Sequence, residues 1–313
     1  FRNLMKIRPV ILCGGAGTRL WSNPKKHQAK QFIDFGNWTL LEKTLNRIKS
    51  SIYDSPIIST NKIYLKQIKQ HLRKCKITKY KIILEPLKRN TAPAILSAAL
   101  IKDIPNDQPL IFFSADHLIE KINIFNKAIN ENKSNLTDQN IFIFGIKPTS
   151  PSSDYGYFIS KKVKGNLNKV ISFIEKPKES KAKKVIKQKG SWNSGIFFLR
   201  KDSIINNFKK YQPNIYRNCF NAVKKAKLKK NIYHLNKAFY IKATAKSFDY
   251  AILEKTKIIN AIKLDIPWSD LGSWKEILKM YEKNKKKYIK KKNIYYRPWG
   301  RYTNLFEGKN FLI

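Results

Sequence analysis

The chain has 313 residues and 42% apolar content, enough to bury a sizeable core in one large domain or in one domain plus part of another. No apolar run approaches the ~20 residues that span a bilayer, and no long apolar stretch follows Phe1–Arg8, so neither a membrane partner nor a signal peptide is expected. The net charge of +43 points first to nucleic acid. However, the lysines are spread along the chain as part of a general enrichment in Lys, Ile and Asn. No zinc-finger, RNA-binding or helix-turn-helix signature accompanies them. A specific nucleic-acid partner is therefore not expected, whereas attraction of small anionic substrates is.

In chain order, the first two thirds alternate short apolar runs with longer amphipathic ones. Strands are predicted at Val10–Cys13, Pro56–Ser59, Lys81–Leu84, Leu110–Phe113 and Ile141–Gly145. Helices are predicted between them at Thr39–Ser50, Lys62–Lys74, Ala92–Asp103 and Ile122–Asn132. Strands apolar on both faces, alternating with helices, predict an α/β fold built on a mostly parallel mixed sheet flanked by helices. Past Ser150 the pattern loosens. Val170–Ile174 and Gly195–Leu199 read as strands, Glu179–Lys189 and Asp202–Tyr211 as helices. Lys283–Lys292 is a like-charge run of the kind found at solvated linkers. Cys13, Cys75 and Cys219 are odd in number and not spaced as a metal clip or redox pair, so ordinary thiols in a reducing cytoplasm are expected.

The sharpest motif follows the first strand: Gly14-Gly15-Ala16-Gly17-Thr18-Arg19-Leu20-Trp21. It lacks the Gly-Lys-Ser/Thr of a Walker loop and the spacing of the dinucleotide fingerprint. The physics is similar. Glycines allow backbone N–H groups close to phosphate oxygens, and Arg19 can fork onto a phosphate through paired bonds.

Cys13 to Phe32, ending Lys30-Gln31-Phe32, resembles the pyrophosphorylase signature of the sugar nucleotidylyltransferase family. Further blocks follow in the family's order. Glu85-Pro86-Leu87-Lys88-Arg89-Asn90-Thr91-Ala92-Pro93-Ala94 resembles its guanylyltransferase-type base block, and Ser114-Ala115-Asp116-His117 its metal-binding strand end. Tyr155-Gly156-Tyr157, Phe173 to Pro177 and Trp192-Asn193-Ser194-Gly195 resemble its sugar-phosphate blocks. Ser247-Phe248-Asp249-Tyr250-Ala251 with Glu254-Lys255, and Trp268-Ser269-Asp270-Leu271-Gly272, complete the set. The resemblance covers about residues 8–280 and implies the Rossmann-like nucleotide-diphospho-sugar transferase fold.

It also implies an activity: transfer of GMP from GTP to α-D-mannose 1-phosphate, releasing pyrophosphate, as in GDP-mannose biosynthesis. Two polyanions must be brought together, which implies Mg²⁺, with Asp116 and Asp270 as family-matched ligands. Arg19 and Lys30 are implied to hold the triphosphate, with Gly14, Gly15, Gly17 and Thr18 in the backbone cradle. Glu85, Asn90 and Thr91 are implied near guanine and ribose. Lys176 is implied to neutralise the sugar phosphate, with Glu175, Asn193 and Gly156 at the sugar. Asp249 lines the site without an assigned role, and His117 is read as a structural neighbour of Asp116. A homodimer is compatible with this reading.

The sequence departs from the family's usual pattern at Ser22–Lys25, Ala29 and Asp154, changes expected to affect rate rather than reaction class. Residues 1–282 are expected to form the nucleotidylyltransferase domain and 283–294 a basic linker. Residues 295–313 resemble the start of the cupin-like isomerase domain of long bacterial members, too little of it for isomerase activity. Two alternatives remain: another sugar-1-phosphate nucleotidylyltransferase, or a non-catalytic regulatory subunit that binds GDP-mannose.

Overall fold

The computed structural model describes residues 5–15, 17, 28–35, 38–273 and 276–277. It also describes the backbone of three short strands between 289 and 307. The chain order begins β1 (Arg8–Cys13), α1 (Leu40–Arg47), β2 (Ile57–Asn61), α2 (Leu65–Lys74), β3 (Lys81–Glu85), α3 (Thr91–Ala99), β4 (Pro109–Ser114), β5 (Leu118–Ile119), α4 (Ile122–Asn132) and β6 (Ile141–Ile146). Next come β7 (Tyr157–Lys164), β8 (Leu167–Ile174), α5 (Glu179–Lys187), β9 (Ser191–Arg200), α6 (Lys201–Tyr211), α7 (Pro213–Lys224), β10 (Lys227–Lys229) and β11 (Ile232–His234). The last are α8 (Lys237–Tyr240), a π-turn at Asp249–Leu253, β12 (Ile259–Leu264) and β13 (Trp268–Ser269).

Eleven strands form one mixed, mostly parallel sheet in the order β10-β11-β3-β2-β1-β4-β9-β6-β12-β8-β7. Within it only β8, β9 and β10 run against the others. The pattern of β1 explains its central place. Val10 faces one apolar layer, with α3, α6 and α7, while Ile11 and Cys13 face the other, with α1, α2 and α4. A strand buried on both faces must be apolar on both. The chain leaves β1 toward β2 and β3, then returns to pair β4 on β1's other side. That reversal is a topological switch point, and ligands of open α/β sheets bind there, beyond the strands' carboxyl ends.

Local chemistry sets the helix starts. Thr39 and Glu42 form a reciprocal capping box on α1, and Pro213 opens α7. Some elements depart from the sequence pattern. β9 starts at Ser191 rather than Gly195, because Trp192 and Asn193 find partners in Ile146 and Gly145 of β6. β7, β12 and α7 are not among the elements predicted from the sequence. β7 is exposed along its second half, and α7 buries only Ile215, Asn218, Cys219 and Ala222. The strand Ile289–Lys291 falls within the run read as a linker and pairs with Ile294–Tyr296, which in turn pairs with Phe306–Glu307. Among the described residues no helix is long and apolar enough to cross a membrane.

Candidate active site

The ends of β1 and β4 carry the first cluster. Gly14, Gly15 and Gly17 leave β1. Gly17 has φ +63°, and a Cβ there would stand 2.7 Å from Lys30 Cβ and 2.8 Å from Lys30 N. Glycine is required on both counts, and its absence of a side chain lets the loop close onto Lys30. The Gln31 side-chain amide donates to the Gly15 carbonyl at 3.0 Å, pinning the loop from the same turn. Lys30 is buried, and its ammonium lies 2.9 Å from Asp116 Oδ2 just past β4. The same ammonium donates to the Asp270 carbonyl.

A two-stranded ribbon makes that meeting possible. β13 pairs antiparallel with β5, Trp268 opposite Ile119 and Ser269 opposite Leu118. The register carries Asp270 beside His117 and Asp116, residues far from it in sequence. The Asp270 carboxylate accepts from the Tyr155 hydroxyl at 2.8 Å and from the Gly272 N–H at 3.2 Å. Asp270, Tyr155, Trp192 and Trp268 share the wall of a cavity of about 520 Å³.

Electrostatics separate the groups. Burial opposes ionisation of Asp116, but the Lys30 charge and hydrogen bond outweigh it and hold the carboxyl below its usual range. Burial lowers the His117 pKa, so its ring is neutral at neutral pH. His117 also packs edge-on to Trp268, and its carbonyl accepts from the buried Arg47 at 3.3 Å. These contacts fit the structural role expected of it.

The donor set suits a hard cation. Its oxygens are the Asp116 carboxylate and the Asp270 main-chain carbonyl, and the lysine ammonium touching both already marks a place where positive charge is favoured. Among the described residues no three His, Cys, Asp or Glu gather as a closed metal cage. Mg²⁺ is commonly held by one or two carboxylates plus substrate phosphates, so two aspartates fit it.

A second cluster gathers the sugar-block residues. β7 pairs with both neighbours, Tyr157 opposite Ile174 of β8 and opposite Trp192 of β9. One step further, Gly156 is flanked by Glu175 and Asn193. Asn193 N–H donates to the Gly156 carbonyl at 2.8 Å. A Cβ on Gly156 would stand 2.4 Å from Glu175 Oε2. Asn193 Nδ2 donates to Asp249 Oδ1 at 2.7 Å. Lys176, in a left-handed conformation at φ +47°, brings its ammonium to 4.0 Å from Glu175 Oε1. Burial first, and the Asp249 charge second, push Glu175 up to about 8.

The base-block residues are more occupied than their sequence suggests. Both Glu85 oxygens are engaged, Oε1 by the Ser59 hydroxyl at 2.8 Å and Oε2 by the Tyr240 hydroxyl at 2.7 Å. The carboxyl is buried behind Gly14, and burial raises its pKa. Asn90 caps α3, its Oδ1 accepting from Thr91 N–H at 2.8 Å. Thr91 Oγ1 accepts from Phe248 N–H at 2.9 Å, tying the base block to Asp249's segment. Thr18, Arg19 and Ser22–Lys25 lie outside the described residues. Sequence reasoning passes over Tyr155, Ser59, Tyr240 and Arg47 as site partners. Tyr155 carries a signal, because it stands within a quoted block.

A glycine loop at the switch point, with paired aspartates on crossed chain segments and a separate polar cluster alongside, is a nucleotidyltransferase architecture. The nucleotidyl transferase family matches residues 8–287, and the chain belongs to that family. It is 34% identical over 286 residues to the mannose-1-phosphate guanylyltransferase of Escherichia coli, covering 88% of this chain and 62% of that protein. Against the mannose-1-phosphate guanylyltransferase of Salmonella muenchen it is 31% identical, covering 99% and 66%. The chain thus spans less than two thirds of the length of these relatives. A Thermus thermophilus structure, described as a mannose-1-phosphate geranyltransferase, superposes with TM-score 0.75 at 24% identity. It covers 88% of this chain and 79% of that one, and it supports the fold.

Proposed function

We propose that the chain transfers GMP from GTP to α-D-mannose 1-phosphate, releasing pyrophosphate and forming GDP-mannose. The observation that carries this reading is the junction of Lys30, Asp116 and Asp270 beside the glycine loop. The names of the relatives favour mannose 1-phosphate and guanine.

A phosphate oxygen of mannose 1-phosphate attacks the α-phosphorus in line. The bond from that phosphorus to the β-phosphate bridging oxygen breaks, and pyrophosphate leaves. The attacking oxygen is already anionic, so no general base is needed. Mg²⁺, when bound, neutralises the charge that accumulates between the two phosphates. We assign Asp116 and Asp270 to hold it. Lys30 and Arg19 bind the triphosphate, with the amides of Gly14, Gly15, Gly17 and Thr18 around it. Asn90 and Thr91 stand on the base side, with Glu85 as its floor. Lys176 meets the sugar phosphate, and Glu175, Asn193 and Gly156 the sugar. We assign residues 1–282 to this activity and 295–313 to the opening of a cupin-like domain.

The test is pyrophosphate release from GTP, ATP, UTP and CTP, each with mannose 1-phosphate and then with glucose 1-phosphate. GTP with mannose 1-phosphate is expected to be fastest. Equal rates with all four nucleotides would remove the guanine assignment, and release with UTP and glucose 1-phosphate alone would make the chain a different nucleotidylyltransferase.

A further inference from the structure

The Asp249–Leu253 segment closes as a π-turn, with Glu254 N–H donating to the Asp249 carbonyl at 3.0 Å. In an α-helix, residues five apart point about 140° away from each other, given 3.6 residues per turn. An i→i+5 closure widens the turn and brings residue i+5 back toward the face of residue i. The turn therefore delivers two acidic residues to one face, and both meet the sugar block. Asp249 Oδ1 accepts from Asn193 Nδ2 at 2.7 Å, and Glu254 Oε1 accepts from Glu175 N–H at 3.0 Å. π-turns are rare and frequently mark functional sites.

The Asn193 amide is held at both ends, because its Oδ1 accepts from Gly195 N–H at 3.3 Å. One N–H and one lone pair remain for a ligand. Glu175 is crowded onto the same spot because Gly156 carries no Cβ.

We infer that Asp249, delivered by the π-turn, is a positioning residue of the sugar-phosphate subsite. It fixes the Asn193 amide and, beside Glu175, completes a paired carboxyl surface for sugar hydroxyls. The inference rests on the proposed sugar-nucleotide chemistry and deepens it.

The charges around the pair support this. Glu175 is pushed up to about 8 by burial, then by Asp249, with Glu254 adding and Lys176 opposing. Asp249 is pushed up to about 6 by burial, then lowered in part by its backbone and Asn193 hydrogen bonds and by Lys176, with Glu254 raising it. Tyr250 is a further titratable neighbour of the pair. Burial and the neighbouring acidic charge favour a proton on this pair, and a protonated Glu175 can donate to one hydroxyl oxygen while Asp249 keeps Asn193 in place.

The experiment is steady-state pyrophosphate release by the full chain, with GTP and mannose 1-phosphate varied in turn from roughly pH 6.5 to 9.5. Asp249→Ala is expected to raise KM for mannose 1-phosphate roughly tenfold or more, the loss of a hydrogen bond to a charged group, with KM for GTP unchanged. Asp249→Asn keeps an acceptor for Asn193 and recovers most of that KM at neutral pH. It also removes the charge that raises Glu175, so the alkaline inflection in the mannose 1-phosphate KM moves to lower pH. An inflection left in place, or equal rises in both KM values, overturns the positioning role while leaving the function intact. Absence of release by the unaltered chain with GTP and any hexose 1-phosphate overturns the function, and the inference with it.

Discussion

The two polar clusters hold the same kind of group in opposite states. At the phosphate end, Lys30 holds Asp116 below the ordinary carboxylate range. At the other end, burial first and neighbouring acidic charge second push Glu175 up to about 8 and Asp249 up to about 6. Under the proposed function, one end suits cations and phosphate and the other neutral hydroxyls. In a chain with 64 Lys and Arg against 21 Asp and Glu, the overall charge predicts neither state, because burial and the nearest neighbour decide each one.

The largest way to break this contrast is at the phosphate end. Asp116→Asn removes the negative charge paired with Lys30 and is expected to lower kcat by more than roughly a hundredfold at saturating Mg²⁺. Asp270→Asn should act similarly. Initial rates across a Mg²⁺ titration check both, and full turnover by either variant removes that residue from the metal assignment. Next comes Gly17→Ala, which meets a left-handed φ and the Lys30 backbone at once. Strain of about 1–2 kcal/mol in this loop should lower kcat/KM for GTP roughly tenfold, with KM for mannose 1-phosphate little changed.

Lys176→Ala probes the other end. Its KM for mannose 1-phosphate should rise roughly tenfold, and its KM for GTP should stay level. An effect confined to GTP would reverse the two ends. The smallest effect sharpens the protonation contrast itself. The Glu175 carboxyl has an ordinary value of 4.5 and about 8 in the folded chain. Between those values the folded state keeps a proton that the unfolded state has released, so stability falls as pH rises through that window. Glu175→Gln lacks this slope. Its Tm relative to the unaltered chain should therefore climb by a few degrees between about pH 5 and pH 8, and a gap independent of pH would contradict the raised value.

The phosphate end is legible in sequence because its parts are local and punctuated. An apolar strand, a glycine run and Lys30 follow one another closely, and Asp116 closes an unmistakable apolar strand. Asp270 needs the family resemblance, because its neighbours are set by the β5–β13 register, which no periodicity reveals. The sugar end is legible only as short blocks. That Gly156 lies between Glu175 and Asn193 follows from β7 pairing with two strands, and β7 itself alternates too weakly to announce its position. The roles of Asp249 and Glu254 depend on a π-turn, and their five-residue spacing would separate them on an ordinary helix. Glu85 reads outward from its block toward a base, and only the fold brings Ser59 and Tyr240 to both of its oxygens.

The most direct measurement follows phosphorus itself. The chain is incubated with GTP, mannose 1-phosphate and Mg²⁺, and the ³¹P spectrum is recorded with time. The account predicts that the sugar monoester signal decays while a coupled diphosphate pair and free pyrophosphate grow in equal amounts, and that the Asp116→Asn protein leaves the spectrum unchanged. A monoester signal that persists while GTP is intact, or while GTP is hydrolysed to GDP and phosphate, would contradict it.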